Sequence, residues 1–108
     1  MKTTLFILLL LHGLIHVMGF AQAYQRLPAG TFQQPISKPV GWAWFAACIM
    51  TLCTVIGWYT GLHFAALGLT VTAAVSQLLI LRNWTDAKWG SLGNLLMLLA
   101  AWASDTWW

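Results

Sequence analysis

The sequence predicts an all-α fold, a membrane-spanning four-helix bundle, and three observations carry that prediction. First, 60% of the 108 residues are apolar and only 6% are charged, against about a quarter charged in ordinary soluble domains; the mean hydropathy is +0.76. Second, the apolar residues gather into four runs, each close to the roughly 20 residues that cross a ~30 Å hydrocarbon core as a helix. Third, the eight tryptophans fall near the ends of these runs, where an indole can bury its ring and keep its N–H wet. The runs are too long and too evenly apolar for the alternating strands of a membrane barrel. On this reading residues 1–108 form a single transmembrane domain whose natural partner is the lipid bilayer, with no feature directed at nucleic acid.

The first helix is expected over about 3–25. Lys2, the apolar run behind it and Ala21-Gln22-Ala23 together resemble a cleaved signal peptide. Charge placement favours retention. With the helix in place, the loop at 26–39 (Arg26, Lys38) and the loop near 82–88 (Arg82, Lys88) share one side, which the positive-inside bias makes cytoplasmic. The other side keeps Lys2, Asp105 and an uncharged turn at 59–61. The expected location is the bacterial inner membrane, with both termini outside.

The second helix is expected over about 40–59. Cys48 and Cys53 lie five apart on it and point about 140° away from each other, so they do not pair. The third is expected over about 61–82 and the fourth over about 87–104, with Thr85 or Asp86 as its N-cap. The connector at 26–39 contains Pro28, Pro35 and Pro39 together with several amides, the makings of an ordered cytoplasmic surface or lid as much as of a spacer.

Stripes of small and polar residues mark the faces that meet other helices, because lipid supplies no hydrophobic push and close backbone approach must take its place. These stripes are His12, His16, Gly19 and Ala23; Ala43, Ala47, Thr51, Thr54 and Trp58; and Gly90, Asn94, Met97 and Ala101. The third helix has two, one through Gly61, Ala65, Gly68, Thr72 and Ser76 and one through His63, Ala66, Thr70, Ala73 and Gln77. Two neighbours in the bundle, or one neighbour and a second copy in a homodimer, would use both.

His12 and His16 are four apart, about 40° and 6 Å on a helix, and share one face. That is the spacing of the zinc metalloprotease motif, but its glutamate position is Gly13 and the spans hold no carboxylate to replace it. Three readings remain open: hydrogen bonds to neighbouring helices, a buried small-molecule or quinone-type site, and a transition metal or haem held through imidazole. His63 lies too far along the bundle to share an ion with His16. Polar residues inside a membrane are costly and mark a function or a specific helix contact. The candidate site is a polar pocket opening to the cytoplasm, with His16, Gln77 and Asn94 at its floor, Arg26, Lys38, Asp86 and Lys88 at its rim, and His12 on the same helix face as His16 as a further ligand-binding candidate. It would bind a small or amphiphilic ligand, or belong to an accessory subunit. Gln77 and Asn94 are the expected partners of His16. A dimeric transporter, with histidine in place of the usual membrane carboxylate, is the alternative of a different class. No catalytic residue stands out.

The stretches "LHGLIHVMGFAQAY", "QPISKPVG" and "DAKWGSLGN" resemble the pattern of an uncharacterised family of small bacterial four-helix integral membrane proteins, over almost the whole chain. The first helix is also similar to the DoxX-like pattern, in which a His-Gly opening is followed by a basic residue and Gly-Phe. His12, Gly13, Gly19 and Phe20 carry that likeness, with His16 at the basic position. The first resemblance implies a compact bundle without an assigned activity and singles out Gln34, Pro35, Lys38, Pro39, Asp86, Lys88, Gly90 and Asn94. The second implies a subunit of a quinone-linked oxidoreductase, or another membrane redox or transport accessory.

Overall fold

A computed structural model describes residues 2–104; Asp105, Trp107 and Trp108, which the sequence places at the outer side, lie outside the described residues. The chain is helical, with no strand among the described residues: α1 (Lys2–Ile15), α2 (Val17–Ala23), α3 (Lys38–Thr60), α4 (Ala65–Arg82), α5 (Trp84–Ala87) and α6 (Gly90–Trp102). Three stretches are long and apolar enough to cross a membrane, namely Lys2–Ala23, Lys38–Thr60 and Ala65–Arg82; Gly90–Trp102 is apolar but shorter.

The boundaries depart from expectation where local backbone chemistry intervenes. The first helix is interrupted at His16, which is a turn residue between α1 and α2. α3 starts at Lys38, with Pro39 in its first turn, where a missing N–H costs nothing. It ends at Gly61, which adopts φ 80°, while Leu62 N–H reaches back to Gly57 O at 2.9 Å and Gly61 N–H to Trp58 O at 3.2 Å. This left-handed glycine cap, followed by Phe64 at φ 62°, delays α4 to Ala65 and leaves His63 in the turn. Neither Thr85 nor Asp86 caps α6. The residue before α6 is Trp89, without a side-chain cap, and the Asp86 carboxylate is engaged elsewhere.

The helices pack in a closed circuit: α1–α2 on α3, α3 on α4, α4 on α6, and α6 back on α1. Thr3 Oγ1 lies 3.0 Å from Tyr59 Oη and Lys2 Nζ sits 5.4 Å from the Trp58 ring centroid, so the start of α1 meets the end of α3. The loops at 24–37 and 83–89 meet at the opposite end of a body 43 Å long. Both faces of α4 are occupied within the chain: Gly68 abuts the Thr54 side chain of α3, and Gln77 faces Ser91 and Asn94 of α6.

The interior has three layers. One apolar cluster, with Leu9, Val55, Trp58, Leu69 and Met97, fills the end nearer Lys2. A smaller one, with Ala23, Ile36, Trp44 and Ile80, fills the loop end. Between them lie the buried polar side chains His12, His16, Thr51, Ser76 and Asn94. Trp44 and Trp58, expected at a membrane interface, are core residues, each 6% exposed, whereas Trp102 is 81% exposed. The cause is the face each occupies: Trp44 shares its side of α3 with Gly41, Ala47 and Cys48, and position near a helix end says nothing about face. Cys48 is buried and Cys53 exposed, both free thiols.

Candidate functional site

The polar layer is organised by the two histidines. At the break between α1 and α2, His16 has φ −59° and ψ −24°, and its N–H bonds Gly13 O at 3.1 Å, the tighter i to i−3 pattern of a 3₁₀ turn. That leaves the His12 carbonyl without its usual i+4 amide. The His16 side chain takes the place of that amide, Nδ1 lying 2.8 Å from His12 O. A carbonyl only accepts, so Nδ1 carries the proton and a neutral His16 accepts through Nε2, which is 2.6 Å from Ser76 Oγ on α4.

His12 has the other tautomer. Gln77 Nε2 donates to Ser91 Oγ at 3.0 Å and Asn94 Nδ2 donates to Gln77 Oε1 at 2.9 Å. Asn94 Oδ1 is therefore the end of that amide left to accept, and His12 Nε2–H donates to it at 2.9 Å. The two rings meet edge to face with centroids 4.9 Å apart. Backbone approach makes this geometry possible. A Cβ at Gly93 would fall onto the His12 ring, 2.5 Å from Cγ and 2.6 Å from Cε1. A Cβ at Gly13 would lie 2.9 Å from the Thr51 methyl, so the position that a zinc hydrolase fills with glutamate is here a contact point between α1 and α3.

Beside the pair is a cavity of about 440 Å³ lined by Leu8, Leu11, His12, Ile15, His16, Met18, Gly19, Phe32, Trp44, Ile80, Asp86, Ala87, Trp89 and Gly90. Leu8, Leu11, Ile15 and Trp89 are 47–74% exposed and form its mouth on the outer surface between α1 and α6. Phe32, from the connector before α3, and Ala87, at the end of α5, also line it. The loop cover is held by Asp86, whose Oδ1 and Oδ2 accept the Gln33 and Gln34 amides at 2.8 and 2.7 Å, while Thr85 N–H donates to Gln34 Oε1 at 3.1 Å.

Of the residues expected to form one pocket, the structure brings His12, His16 and Asp86 to this cavity. Gln77 and Asn94 hydrogen-bond into the same network, but line a different cleft with Thr70, Ser91 and Leu98. Arg26 borders a third with Phe20 and Trp42. Lys38 Nζ sits 5.4 Å from the Tyr24 ring centroid and Lys88 Nζ 5.9 Å from that of Trp89. The expected pairing of His16 with Gln77 and Asn94 is corrected: Asn94 bonds His12 and Ser76 bonds His16. Among the described residues no three His, Cys, Asp or Glu side chains gather as a metal site.

Sequence reasoning did not place Ser76, Ser91, Phe32 or Trp44 in the site. Ser76 was accessible, since it shares its α4 face with Thr72. Trp44 was not, because a tryptophan near a helix end suits the membrane interface and an inward-facing position equally well by sequence. No family model, no curated protein and no solved structure matches this chain.

Proposed function

We propose that the chain is a four-helix bundle of the bacterial inner membrane that binds a small amphiphilic molecule in the cavity beside His12 and His16. The carrying observation is the combination found there: a space of about 440 Å³ with an apolar wall and a mouth of exposed leucine and isoleucine, beside two imidazoles whose orientation is fixed by hydrogen bonds. Ligand sites have this character, mostly apolar with a few placed polar groups. In a bilayer the mouth between α1 and α6 opens sideways into lipid, so the ligand enters from the membrane.

The loop end is the cytoplasmic one on this reading, since Arg26, Lys38, Arg82 and Lys88 lie there and only Lys2 at the other among the described residues. α6, with 13 residues, is the fourth and shortest membrane segment on this reading. Native mass spectrometry of the protein extracted from its membrane in mild detergent tests the proposal. A discrete small-molecule adduct is expected in the wild type and not in Ile15→Trp, which fills the mouth from an exposed position. Bare protein, or an adduct indifferent to Ile15→Trp, would refute it.

A further inference from the structure

Away from the histidines, the loop end of the bundle carries a second groove of about 460 Å³, lined by Val17, Phe20, Ala21, Tyr24, Arg26 and Trp42. Its shape starts with the end of α2. The Gln25 N–H bonds Gln22 O at 3.0 Å and the Arg26 N–H bonds Ala21 O at 2.9 Å, the paired closure of a left-handed helix end. Gln25 takes the left-handed position, φ 56°, which a residue with a Cβ adopts only at a cost. That turn folds Arg26 back beside Ala21, so it lines the groove instead of following the chain into the loop. On the other wall α3 comes close, since a Cβ on Gly41 would fall onto Ala23 Cβ.

The groove is graded along its length. Trp42 and Tyr24 stand at the loop end, 53% and 37% exposed, and Val17 lies seven residues before Tyr24, or ~10 Å deeper along a helix. Between them the Phe20 ring meets Trp42 edge to face, with centroids 4.7 Å apart. Trp42 Nε1–H donates to Tyr24 Oη at 3.0 Å; an indole only donates, so the phenol keeps its own proton to give. Lys38 Nζ lies 5.4 Å from the centroid of the same Tyr24 ring. Arg26 and Lys38 are exposed, and Asp86, the side-chain carboxylate among the described residues, gives both oxygens to the Gln33 and Gln34 amides. Arg26 and Lys38 repel a cation from this aromatic wall, whereas an anion meets two positive charges and a phenol.

We infer that this groove holds an anionic phospholipid of the leaflet on the loop side, its phosphate beside Arg26, Lys38 and the Tyr24 hydroxyl and one acyl chain along Phe20 and Val17. Basic residues just outside a membrane helix recognise such headgroups, and tyrosine and tryptophan favour the depth at which headgroups lie. The site is separate from the cavity beside His12 and His16 and stands whether or not that cavity holds a ligand.

The test is native mass spectrometry of the full-length protein in mild detergent, titrated with phosphatidylglycerol and phosphatidylcholine of equal chain length. Phosphatidylglycerol is expected to bind more tightly, by roughly fivefold for each cation engaged and so about 25-fold in all. Arg26→Gln and Lys38→Gln should each cut that preference about fivefold. Arg82→Gln, an equal loss of charge at the same end but outside the groove, should leave it unchanged. All three side chains are exposed, so the variants keep their helical circular dichroism. Glycerol phosphate at matched concentration should displace no lipid. Equal affinity for the two lipids, the same loss in Arg26→Gln and Arg82→Gln, or displacement by glycerol phosphate would overturn the inference, the last by assigning the groove to a soluble anion.

Discussion

Replacing Gly93 with alanine perturbs the contact on which the polar layer closes. The added methyl would overlap His12 at Nδ1 and lie 2.5 and 2.6 Å from Cγ and Cε1, where carbon atoms rest at about 3.5–4.0 Å. Relief requires either α6 to withdraw by about an ångström or His12 to leave its rotamer and abandon Asn94, 2.9 Å away. Overpacking of this kind costs about 1–3 kcal/mol, and a hydrogen bond between membrane helices contributes about 0.6 and at most about 1.7 kcal/mol. Gly93→Ala should therefore destabilise the fold by about 2–4 kcal/mol, read as reversible unfolding on titrating dodecyl sulfate into mild-detergent micelles. The decisive measurement is the double mutant. In His12→Ala the ring is gone and the alanine methyl at 93 enters the space it vacated, so the two substitutions together should cost less than the sum of each alone, by 1 kcal/mol or more. Strict additivity, or a Gly93→Ala protein within about 0.5 kcal/mol of wild type, would refute the close approach of α6 to His12.

Three other outcomes follow from the same geometry. Nitrogen NMR of the imidazoles should find opposite neutral tautomers, protonated at Nε2 in His12 and at Nδ1 in His16; one shared tautomer would contradict the network. Ser76→Ala removes the hydroxyl donor to His16 and should cost about 0.6–1.7 kcal/mol, with the His16 Nε2 resonance shifting while His12 Nε2 stays. Asp86→Ala releases the Gln33 and Gln34 amides; at about 1–2 kcal/mol, discounted for an exposed charged acceptor, their hydrogen exchange should quicken by roughly 5–30-fold, and unchanged exchange would mean the loop is held by other contacts.

Length and hydropathy were enough to read an all-helical chain and the approximate extent of its three membrane-length apolar stretches, because crossing a membrane imposes a run of apolar residues that no other element needs. The stripe His12, His16, Gly19, Ala23 was legible for the same reason that it is buried: small and polar side chains are where helices approach closely. Hydrogen-bond partners were not legible. Ser76 and Gln77 are adjacent in sequence, and which of them reaches α1 depends on the rotation of α4 about its axis, a quantity fixed by Gly68 against Thr54 and by Gln77 against α6. Nor could Trp44 be told from Trp42. Both stand near the start of α3, yet one is 6% and the other 53% exposed, and only the partner at Gly19 distinguishes them.

The spacing of His12 and His16 suggests two ligands for one shared object, but a side chain at i+4 can also reach the carbonyl at i, and that alternative needs nothing outside the helix. His16 does this at the break between α1 and α2, where its side chain stands in for the amide that the turn withdraws. Its ring is then held from two sides, by its own helix and by Ser76, while Asn94 holds His12. Both imidazoles are positioned before any ligand arrives, so binding need not order them, which lowers its entropic cost. Substitutions at the histidines disturb the layer that joins α1, α4 and α6, so on the proposed reading their effects on binding arrive mixed with effects on folding.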